Sequence, residues 1–458
     1  MEPLIISASG VRGVVGEGLT PEVAARYGAA FGSWIRDRSG EDEGFLLIGR
    51  DSRTSGPLML DAVSAGLRAV GVDVRDMGVV ATPTGLLAVR DNDAALGGLL
   101  VTASHNPAQW NGLKLVGREG RFLTPDDGRE VERRYREGVP GADWESLGDR
   151  STHDGASRHH VDRVLALPII DADRIAARRF RVVLDCVRGA GIHTMPPLLE
   201  RLGCEVIGMN LEPDGRFPRP PEPVPENLGA LGETVLREGA DFGFAVDPDV
   251  DRLALVDETG TPIGEDWTLS FAVELVGARE PGAVVTNLSS SRSIEDAAIR
   301  AGVPFHRAPV GEANVVSRML ELDAVIGGEG NGGVIYPALH LTRDAPLAAA
   351  LILQFMTENH ASMSQIVRER PGYRIVKHKI ERAGLAVPEL LKTLEMAAPD
   401  GVLHDVQDGL RLEWPDGGWV HVRPSGTEPI LRVVAEAQHQ DRVDELADWV
   451  RSRVSPME

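Results

Sequence analysis

The stretch Phe45-Leu-Leu-Ile-Gly-Arg50 decides the fold class of this 458-residue chain. It is a short apolar run that ends in a polar loop, Asp51-Ser-Arg53, from which an amphipathic segment over residues 57–70 leads to Gly71-Val-Asp-Val74. A strand, a crossover helix and a second strand in this order are typical of a parallel β-sheet. The sequence therefore predicts an α/β unit near the start of the chain.

Two further segments repeat this order of elements. The second contains a strand-like Val182-Val-Leu-Asp185, a helix over residues 194–202 and Gly203-Cys-Glu-Val206. The third begins at Val284-Val-Thr-Asn287 and continues through a helix over residues 294–301, which the preceding serines are suited to cap. The three segments predict related α/β domains with mixed parallel sheets.

The C-terminal part follows a different pattern. A strand-like Arg374-Ile-Val-Lys377 precedes a helix over residues 387–396, and the strand-like segments 419–422 and 430–434 flank a turn. This pattern predicts a smaller α+β domain. Since a domain has about 100–200 residues, and polar, Gly or Pro residues interrupt the periodic segments, we place the domains at 1–150, 151–256, 257–365 and 366–458.

Composition limits the class of partner. The chain has 48 Lys+Arg against 69 Asp+Glu, a formal charge of −21, which argues against a general binder of nucleic acid or anionic membranes. Its two cysteines do not make a disulfide scaffold. The first residues lack the pattern of a signal peptide, and the apolar run 347–353 is too short to cross a bilayer. We therefore expect a cytoplasmic protein.

A first chemical loop is Thr102-Ala-Ser-His-Asn-Pro107, with Lys114 shortly after it. It follows the apolar segment 97–101, so Ser104 is expected just past the carboxyl end of a strand, where α/β sheets place their reactive groups. Ser104 is therefore a candidate nucleophile. The alternative is a turn whose polar side chains merely cap the next element.

A second loop, Asp247-Pro-Asp-Val-Asp-Arg252, lies between two apolar segments. Carboxylates at alternate positions of an extended backbone point to one side, and three of them would repel each other unless a cation lay between them. A Mg²⁺-like ion fits such hard oxygen donors. An EF-hand is excluded because Arg252 stands where that loop requires glycine, and a solvated acidic turn is the remaining alternative.

Two more loops carry polar groups. Gly327-Gly-Glu-Gly-Asn-Gly-Gly333 suits recognition of hydroxyl groups through Glu329 and Asn331, or simply turns the chain. Arg423-Pro-Ser-Gly-Thr-Glu-Pro429 offers backbone amides and hydroxyls that can form an anion-binding nest beside a guanidinium, which suits a phosphate monoester. An ordinary connecting loop is the alternative for the second of these segments.

Together with Ser9-Gly-Val-Arg-Gly13, these loops resemble the signatures of the α-D-phosphohexomutase superfamily, which contains phosphoglucomutases, phosphomannomutases and phosphoglucosamine mutases. The resemblance covers essentially the whole chain in the family's order. It implies four domains around a central cleft. In chain order they would carry the phosphoserine loop, the metal-binding loop, the sugar-recognition loop and the phosphate-binding loop.

The resemblance also implies roles for the loop residues. Ser104 would be a phosphoserine, and Mg²⁺ would be held by Asp247, Asp249, Asp251 and a phosphoryl oxygen of Ser104. The catalytic residues would be Ser104, His105, Lys114, Arg12 and Arg252, with Lys114 and His105 as proton-transfer candidates. Burial or neighbouring cations would lower the pKa of Lys114, which could then accept the proton of the attacking hydroxyl. The substrate would be bound by Glu329, Gly330, Asn331, Arg423, Ser425, Gly426 and Thr427.

The implied activity is an isomerase reaction, an intramolecular phosphotransfer between hexose 6-phosphate and hexose 1-phosphate through a sugar bisphosphate. Asn331 and Gly333, with Val310-Gly311-Glu312, favour a phosphoglucosamine mutase over a phosphomannomutase or phosphoglucomutase. Other readings are a haloacid-dehalogenase-like phosphatase that uses Asp247 and a non-catalytic sugar-phosphate-binding protein. We expect a monomer or homodimer that binds no nucleic acid and no membrane.

Overall fold

The computed structural model describes residues 4–7, 10–40, 44–381, 386–425 and 430–454. The chain forms two compact units. The first contains Met1–Thr268 and Gly332–Met363, and the second contains Leu269–Asn331 and Ser364–Glu458. The chain therefore leaves the first unit after Thr268 and returns to it at Gly332.

The first sheet of the first unit has parallel and antiparallel pairs. Its strands are β1 (Ile5–Ser7), β2 (Gly10–Val14), β3 (Phe45–Arg50), β4 (Asp73–Val79), β5 (Ala95–Val101), β6 (Trp110–Val116) and β7 (Arg150–Thr152), in the order β1-β2-β6-β5-β3-β4-β7. β3 is parallel to β4 and β5, whereas β6 is antiparallel to β5 and β2. The accompanying helices are α1 (Pro21–Ser39), α2 (Gly56–Ala69), α3 (Thr82–Arg90) and α4 (Pro125–Glu137). The predicted strand–helix–strand unit is confirmed as β3, α2 and β4.

The central strands β3 and β5 position the first chemical loop. Every residue of β5 is buried, as is typical of parallel strands that are covered on both faces. Because β3 and β5 are parallel neighbours, their carboxyl ends meet at one edge of the sheet. There the amide of Asp51 donates to the carbonyl of Val101 at 3.0 Å, and Thr102 Oγ1 donates to Asp51 Oδ2 at 2.7 Å. The loops that follow the two strands are thereby joined.

The second sheet of this unit confirms the second predicted repeat. Its strands are β8 (Arg181–Asp185), β9 (Glu205–Met209), β10 (Phe242–Val246) and β11 (Leu253–Asp257), in the order β11-β10-β8-β9. Helices α5 (Ala156–Leu165), α6 (Ala172–Arg178), α7 (Met195–Arg201) and α8 (Gly229–Glu238) accompany it, with short 3₁₀ turns at Ala190–His193 and Pro225–Asn227. β8 is parallel to β9 and β10, and β10 is antiparallel to β11. The acidic loop connects β10 to β11.

The second unit begins with the third repeat. Its elements are α9 (Asp266–Gly277, which starts in the first unit), β12 (Val284–Asn287), α10 (Arg292–Ala301), β13 (Phe305–Ala308), α11 (Glu312–Leu322) and β14 (Ile326–Glu329). β12 is parallel to both β13 and β14. Ser291 caps α10, since its side chain accepts a hydrogen bond from the amide of Ser293. The predicted capping by serine is therefore confirmed.

The segment that returns to the first unit contains β15 (Gly333–Ile335) and α12 (Ala345–Glu358). Asp344 caps α12 by accepting from the amide of Leu347. Residues 345–357 are all buried, so the apolar run 347–353 is a core helix. Among the described residues, the structure contains no helix with the length and apolar character that crossing a bilayer demands.

The C-terminal part of the second unit is an antiparallel sheet with helices. Its elements are α13 (Met363–Arg368), β16 (Arg374–Glu381), α14 (Val387–Met396), β17 (Leu403–Asp405), β18 (Leu410–Glu413), β19 (Trp419–Pro424), β20 (Ile430–Ala437) and α15 (Gln440–Val454). The strand order is β16-β20-β19-β18-β17, with antiparallel pairs throughout. The predicted α+β domain is confirmed. The domain boundaries at 150, 256 and 365 remain predictions.

Candidate active site

Ser104 lies in the turn that follows β5. Its backbone is left-handed, with φ of 49°, which is uncommon for a residue other than glycine. Its amide donates to Thr102 Oγ1 at 3.0 Å. Its Oγ donates to Asp247 Oδ2 at 3.2 Å and lies 3.3 Å from His105 Nδ1. Unusual backbone conformations of this kind are concentrated at functional sites, so the turn favours the chemical interpretation over simple capping.

A fully buried arginine holds the Ser104 turn in place. Arg53 is 0% exposed and donates from Nε to Asp51 Oδ2 at 3.0 Å. Its terminal nitrogens donate to the carbonyls of Ser104 (2.6 Å), Asn106 (2.7 Å), Pro107 (2.7 Å) and Trp110 (3.1 Å). In the sequence Asp51 and Arg53 stand out only as part of a polar loop. The signal that could have found them is a pair of opposite charges directly after a buried strand.

The three aspartates of the acidic loop lie together, as the sequence predicted. Asp247, Asp249 and Asp251 are each 0% exposed, and each offers an oxygen within 4.8 Å of the oxygens of the other two. Asp247 Oδ1 accepts from the amides of Asp251 at 3.0 Å and Arg252 at 3.2 Å, which closes the loop on itself. Three buried carboxylates so close together require positive charge nearby.

The protein supplies part of that charge. Lys114 Nζ on β6 lies 2.6 Å from Asp249 Oδ2 and 3.5 Å from Asp251 Oδ2. Arg343 Nη2 donates to Asp251 Oδ2 at 2.7 Å. The hydroxyl of Thr82, at the start of α3, donates to Asp249 Oδ2 at 2.6 Å. Arg343 and Thr82 were not predicted as site residues, because no motif or spacing in the sequence connects them with the acidic loop.

The acidic cluster also fits a metal ion. Asp249 Oδ1 and Asp251 Oδ1 are buried and have no hydrogen-bond partner in the structure. A buried carboxylate oxygen without a partner is costly, and a hard cation is a partner suited to it. The Asp247, Asp249 and Asp251 cluster could therefore bind a metal.

The other predicted catalytic residues contact the loop that carries Ser104 or a carboxylate next to His105. Arg12 Nη1 donates to Asn106 Oδ1 at 3.3 Å, in the loop that carries Ser104. Arg252, 7% exposed, donates from Nη1 to Glu222 Oε1 at 2.9 Å, and His105 Nε2 lies 3.8 Å from the same oxygen. Glu222 lies in a proline-rich segment between β9 and α8. It is thus a further missed residue that contacts the site.

The predicted sugar loop lies in the second unit. Glu329, at the end of β14, is 5% exposed, and its Oε1 accepts from Asn287 Nδ2 at 2.9 Å and the amide of Gly311 at 3.1 Å. Asn331 Nδ2 lies 3.4 Å from Glu329 Oε2, and the amide of Gly330 donates to Ser290 Oγ at 2.9 Å. The loop is therefore an ordered polar cluster around one carboxylate rather than a simple glycine turn.

The predicted phosphate loop also lies in the second unit. Arg423, on β19, donates from Nε to Asp408 Oδ2 at 2.8 Å. The amide of Ser425 donates to the carbonyl of Ile430 at 2.9 Å across the loop. Gly426 and Thr427 lie outside the described residues. The guanidinium of Arg423 is thus fixed by the carboxylate of Asp408.

Comparison with known proteins identifies the family. Four models match the chain in order: phosphoglucomutase/phosphomannomutase, alpha/beta/alpha domain I at residues 4–140, domain II at 158–260, domain III at 265–373 and the C-terminal domain at 377–452. The chain belongs to the phosphoglucomutase/phosphomannomutase family. The predicted α-D-phosphohexomutase superfamily, the fold class and the isomerase class are thereby confirmed.

Similar proteins of this phosphohexomutase family match over nearly the full chain. A probable phosphoglucosamine mutase of Methanopyrus kandleri is 38% identical and covers 96% of this chain and 95% of its own. A phosphoglucomutase/phosphomannomutase of Thermococcus kodakarensis is 38% identical, with 95% of each chain covered. The crystal structure of a phosphoglucomutase/phosphomannomutase family protein from Burkholderia thailandensis has a TM-score of 0.86 at 27% identity and covers 99% of this chain and 97% of its own.

In this phosphohexomutase chain, the charges of the site shift each other's pKa. Burial raises the pKa of Asp247 well above its ordinary value, and the neighbouring carboxylates add to the effect. Burial also acts to raise the pKa of Asp251, but Arg343 and Lys114 outweigh it, so that pKa is lowered. The surroundings therefore shift the pKa values of Asp247 and Asp251 in opposite directions.

The pKa values of the two proton-transfer candidates, Lys114 and His105, are also shifted in opposite directions. Burial acts to lower the pKa of Lys114, but Asp249 and Asp251 outweigh it and raise that pKa. The prediction of a lowered pKa for Lys114 is therefore wrong, because both carboxylates favour the charged amine. The pKa of His105 is instead lowered well below its ordinary value, by burial and by the guanidinium of Arg252. His105 is thus the neutral group of the pair.

A second polar cluster, formed by His160, His340 and Asp344, lies next to Arg343. Asp344 Oδ2 lies 2.8 Å from His160 Nε2 and 2.7 Å from His340 Nε2, and all three residues are buried. Thr84 Oγ1 lies 2.8 Å from His160 Nδ1, so α3, α5 and the start of α12 are joined. Both imidazoles donating to one carboxylate account for these distances. The cluster therefore fixes the backbone next to Arg343.

Proposed function

We propose that this protein is a phosphohexomutase that interconverts hexose 6-phosphate and hexose 1-phosphate, with glucosamine phosphate as the preferred substrate. One observation carries the proposal: the hydroxyl of Ser104 lies 3.2 Å from Asp247 Oδ2, in a cluster of three buried aspartates. Family membership and the names of the relatives support the same reaction.

In the proposed reaction Ser104 carries a phosphoryl group in the resting enzyme. The phosphoryl group passes to the free hydroxyl of a hexose monophosphate, and the bond to Ser104 Oγ breaks. The resulting sugar bisphosphate reverses its orientation and returns its other phosphoryl group to Ser104. Phosphoryl transfer depends mainly on positioning and on neutralising charge. Lys114 and Arg343 bring positive charge to the aspartate cluster that Ser104 contacts through Asp247. Arg252 follows those aspartates in the acidic loop.

The metal of the proposed enzyme is Mg²⁺. Asp247, Asp249 and Asp251, with a phosphoryl oxygen on Ser104, would hold it, since Mg²⁺ prefers oxygen ligands from carboxylates and phosphates. When bound, the ion supplies neutralisation of charge on the transferring phosphoryl group. Asp249 Oδ1 and Asp251 Oδ1, which are buried without a hydrogen-bond partner, support this ligand set.

The proton transfers are assigned from the directions of the pKa shifts. His105 is neutral and its Nδ1 lies 3.3 Å from Ser104 Oγ, so it is placed to accept a proton near the reacting oxygen. Lys114 is charged and lies against the aspartates, so it stabilises negative charge and can donate a proton. In this assignment Arg12 orients the Ser104 loop through Asn106.

The second unit would bind the part of the substrate that does not react. Glu329, Gly330 and Asn331 would recognise sugar hydroxyls, because Glu329 is held in one orientation by Asn287 and Gly311. Arg423 and Ser425, with Gly426 and Thr427, would hold the non-reacting phosphate. The fixed Nε of Arg423 supports this role, since its terminal nitrogens then face a ligand in a set plane.

The preference for glucosamine phosphate rests on Asn331, Gly333 and the 310–312 segment and on the phosphoglucosamine mutase names of relatives. Phosphomannomutase or phosphoglucomutase activity is the alternative, which the Thermococcus relative's name favours. The test is kcat/KM for the 1- and 6-phosphates of glucosamine, glucose and mannose in one assay. A higher kcat/KM for glucose or mannose phosphate would contradict the preference.

The phosphorylated residue decides between reaction classes. The enzyme is incubated with radiolabelled glucose 1,6-bisphosphate and Mg²⁺, and the tryptic phosphopeptide is identified. Acid-stable phosphate on Ser104 is the expected result. Acid-labile, hydroxylamine-sensitive phosphate on Asp247 would instead show a haloacid-dehalogenase-like phosphatase, and tight binding without any turnover would show a sugar-phosphate-binding protein.

We further propose that the enzyme works in the cytoplasm as a monomer or homodimer, without a nucleic acid or membrane partner. The formal charge of −21 supports the absence of a polyanionic partner. Cys186 and Cys204 are both free and buried, which suits a reducing compartment. Sedimentation of the purified protein measures the oligomeric state.

A further inference from the structure

Asp408 lies in the turn between β17 and β18 and holds two groups of the second unit with one oxygen. Its Oδ2 accepts from Arg423 Nε at 2.8 Å and from the amide of Val310 at 3.0 Å. Arg423 belongs to the proposed phosphate site, whereas Val310 lies in the loop before α11. The carboxylate therefore joins the C-terminal sheet to a loop of the third repeat.

The next amide of that loop reaches the proposed sugar site. Gly311 donates to Glu329 Oε1 at 3.1 Å. Its φ of +118° is a conformation that favours glycine. Two successive amides thus connect Asp408 to Glu329, and the special backbone of Gly311 allows both bonds to form.

A second route links the same two carboxylates. His421 Nε2 lies 2.6 Å from the Asp408 carbonyl, and its Nδ1 lies 2.8 Å from Ser289 Oγ. The amide of Ser289 donates to Asn287 Oδ1 at 2.9 Å, and Asn287 Nδ2 donates to Glu329 Oε1 at 2.9 Å. Since a carbonyl only accepts, Nε2 carries the hydrogen and Nδ1 accepts from Ser289. Both the side chain and the backbone of Asp408 are thereby tied to Glu329.

We propose that Asp408 is a positioning residue that couples phosphate binding at Arg423 to sugar recognition at Glu329. The proposal rests on the proposed function, since it assumes that Arg423 meets phosphate and Glu329 meets the sugar. With Nε fixed, the guanidinium plane is set for a bidentate contact with phosphate oxygens. A ligand that occupies both sites benefits from an arrangement that is already formed, whereas a ligand that occupies one site does not.

The Asp408→Asn substitution has two effects on ligand binding that can be measured separately, a change of charge and a loss of coupling between the two sites. Loss of the carboxylate increases the net positive charge beside Arg423, which by itself favours any anion. Loss of the coupling weakens only a ligand that spans phosphate and sugar sites. The ratio of the dissociation constant of a sugar phosphate to that of inorganic phosphate therefore reports the coupling, because the charge effect acts on both ligands.

The chain offers a matched control. Asp416 Oδ2 accepts from Arg442 Nε at 2.8 Å, and its Oδ1 accepts from the amide of Gly418 at 3.0 Å. This aspartate, in the turn between β18 and β19, has the same two kinds of partner as Asp408, but neither of these partners belongs to the proposed site. Asp416→Asn thus reproduces the chemical change without affecting the two routes to Glu329.

The experiment measures binding of glucosamine 6-phosphate, glucose 6-phosphate and inorganic phosphate by calorimetry to the full-length parent, Asp408→Asn and Asp416→Asn. We expect Asp408→Asn to raise the ratio of constants about tenfold, within the range of measured coupling energies, and Asp416→Asn to leave it unchanged. In turnover, Asp408→Asn should raise KM about tenfold and change kcat less than about twofold. The effects of Arg423→Ala and Glu329→Gln on binding should be non-additive in the parent and additive with Asp408→Asn.

An unchanged ratio in Asp408→Asn, with an active parent, overturns the coupling and leaves the proposed function intact. If the parent binds substrate without turning it over, and Asp408→Asn raises the ratio of dissociation constants, the coupling is supported and the proposed mutase activity is contradicted. Equal weakening of all three ligands, together with a lower melting temperature, shows that Asp408 only stabilises the fold. A parent that binds none of the ligands contradicts both proposals.

Discussion

The hydroxyl of Ser104 lies 3.2 Å from Asp247 Oδ2, although 143 residues separate them in the chain. Two different sheets of the first unit supply the two residues, one at the end of β5 and the other at the end of β10. This contact connects a candidate nucleophile with a candidate metal site. The predictions below test that connection and the groups that maintain it.

Replacement of Ser104 by alanine should lower kcat at least about 10³-fold, because the phosphoryl group then has no oxygen to which it can return. Binding of glucosamine 6-phosphate should change little. Steady-state kinetics and calorimetry measure both. Ser64→Ala is the control, since Ser64 is also buried but its hydroxyl has no partner. Near-normal kcat in Ser104→Ala would show that another residue carries the phosphoryl group.

Asp249→Asn should weaken Mg²⁺ binding at least about tenfold, because it removes one charged ligand from the cluster. Transfer should be impaired more than substrate binding. Titration of the metal-depleted protein with Mg²⁺, followed by activity against Mg²⁺ concentration, measures both effects. The exposed Asp400 provides the control variant Asp400→Asn. Identical Mg²⁺ affinity in the two variants would contradict the assignment of Asp249 as a metal ligand.

Arg53→Met should destabilise the first unit by about 3–5 kcal/mol, since it leaves Asp51 buried without its charge partner. Urea denaturation measures the loss, and kcat of the folded fraction should fall because the Ser104 loop loses four carbonyl contacts. Arg133→Met removes two exposed ion pairs, with Glu130 and Glu137, and should change the urea midpoint little. If both variants have the same midpoint, Arg53 does not support the loop.

Arg423→Ala should raise KM for hexose phosphates about tenfold or more, as expected for loss of a charge-assisted hydrogen bond to phosphate. kcat should fall less than kcat/KM. Arg442→Ala removes an arginine of α15 that is paired with Asp416, in the turn between β18 and β19, and should leave KM unchanged. An unaltered KM in Arg423→Ala would show that the phosphate binds elsewhere.

The second unit should lose stability as the pH falls below about 6.5, the ordinary value for histidine. Burial lowers the pKa of His421 to about 4. Between these values the folded state binds fewer protons than the unfolded state, so its stabilisation is complete above the upper value and lost towards the lower one. His421→Gln should reduce the fall in melting temperature between pH 7 and pH 5. The half-exposed His404 gives a control, His404→Gln, with an unaltered slope.

The local patterns that the sequence contains explain why the fold was predictable. Apolar runs such as 45–50 and 284–287 became buried strands, and the helix over 387–396 has the bounds that its periodicity predicted. The metal loop could be predicted equally well, because alternate carboxylates between two apolar segments are a local feature of the sequence. These properties depend on neighbours in the chain, so they can be read from residue order.

Residues that act through distant contacts were missed. Arg343 meets Asp251 across 92 positions, and Arg53 meets the Ser104 loop across about 50. The pKa of Lys114 was predicted in the wrong direction for the same reason: its sign depends on Asp249 and Asp251, which lie more than 130 positions away. Sequence spacing holds no information on such distances.

The order of residues alone determined the fold class, the family and the identity of the serine, the three aspartates and the arginine that the proposed reaction uses. Tertiary structure alone decided which charges meet: Lys114 and Arg343 on the aspartates, Arg53 on the carbonyls of the Ser104 loop and Asp408 on Arg423. This difference arises from the range of the interactions involved. Secondary structure and motif chemistry follow from interactions within a few residues, whereas electrostatic energies depend on distances that only the folded chain sets.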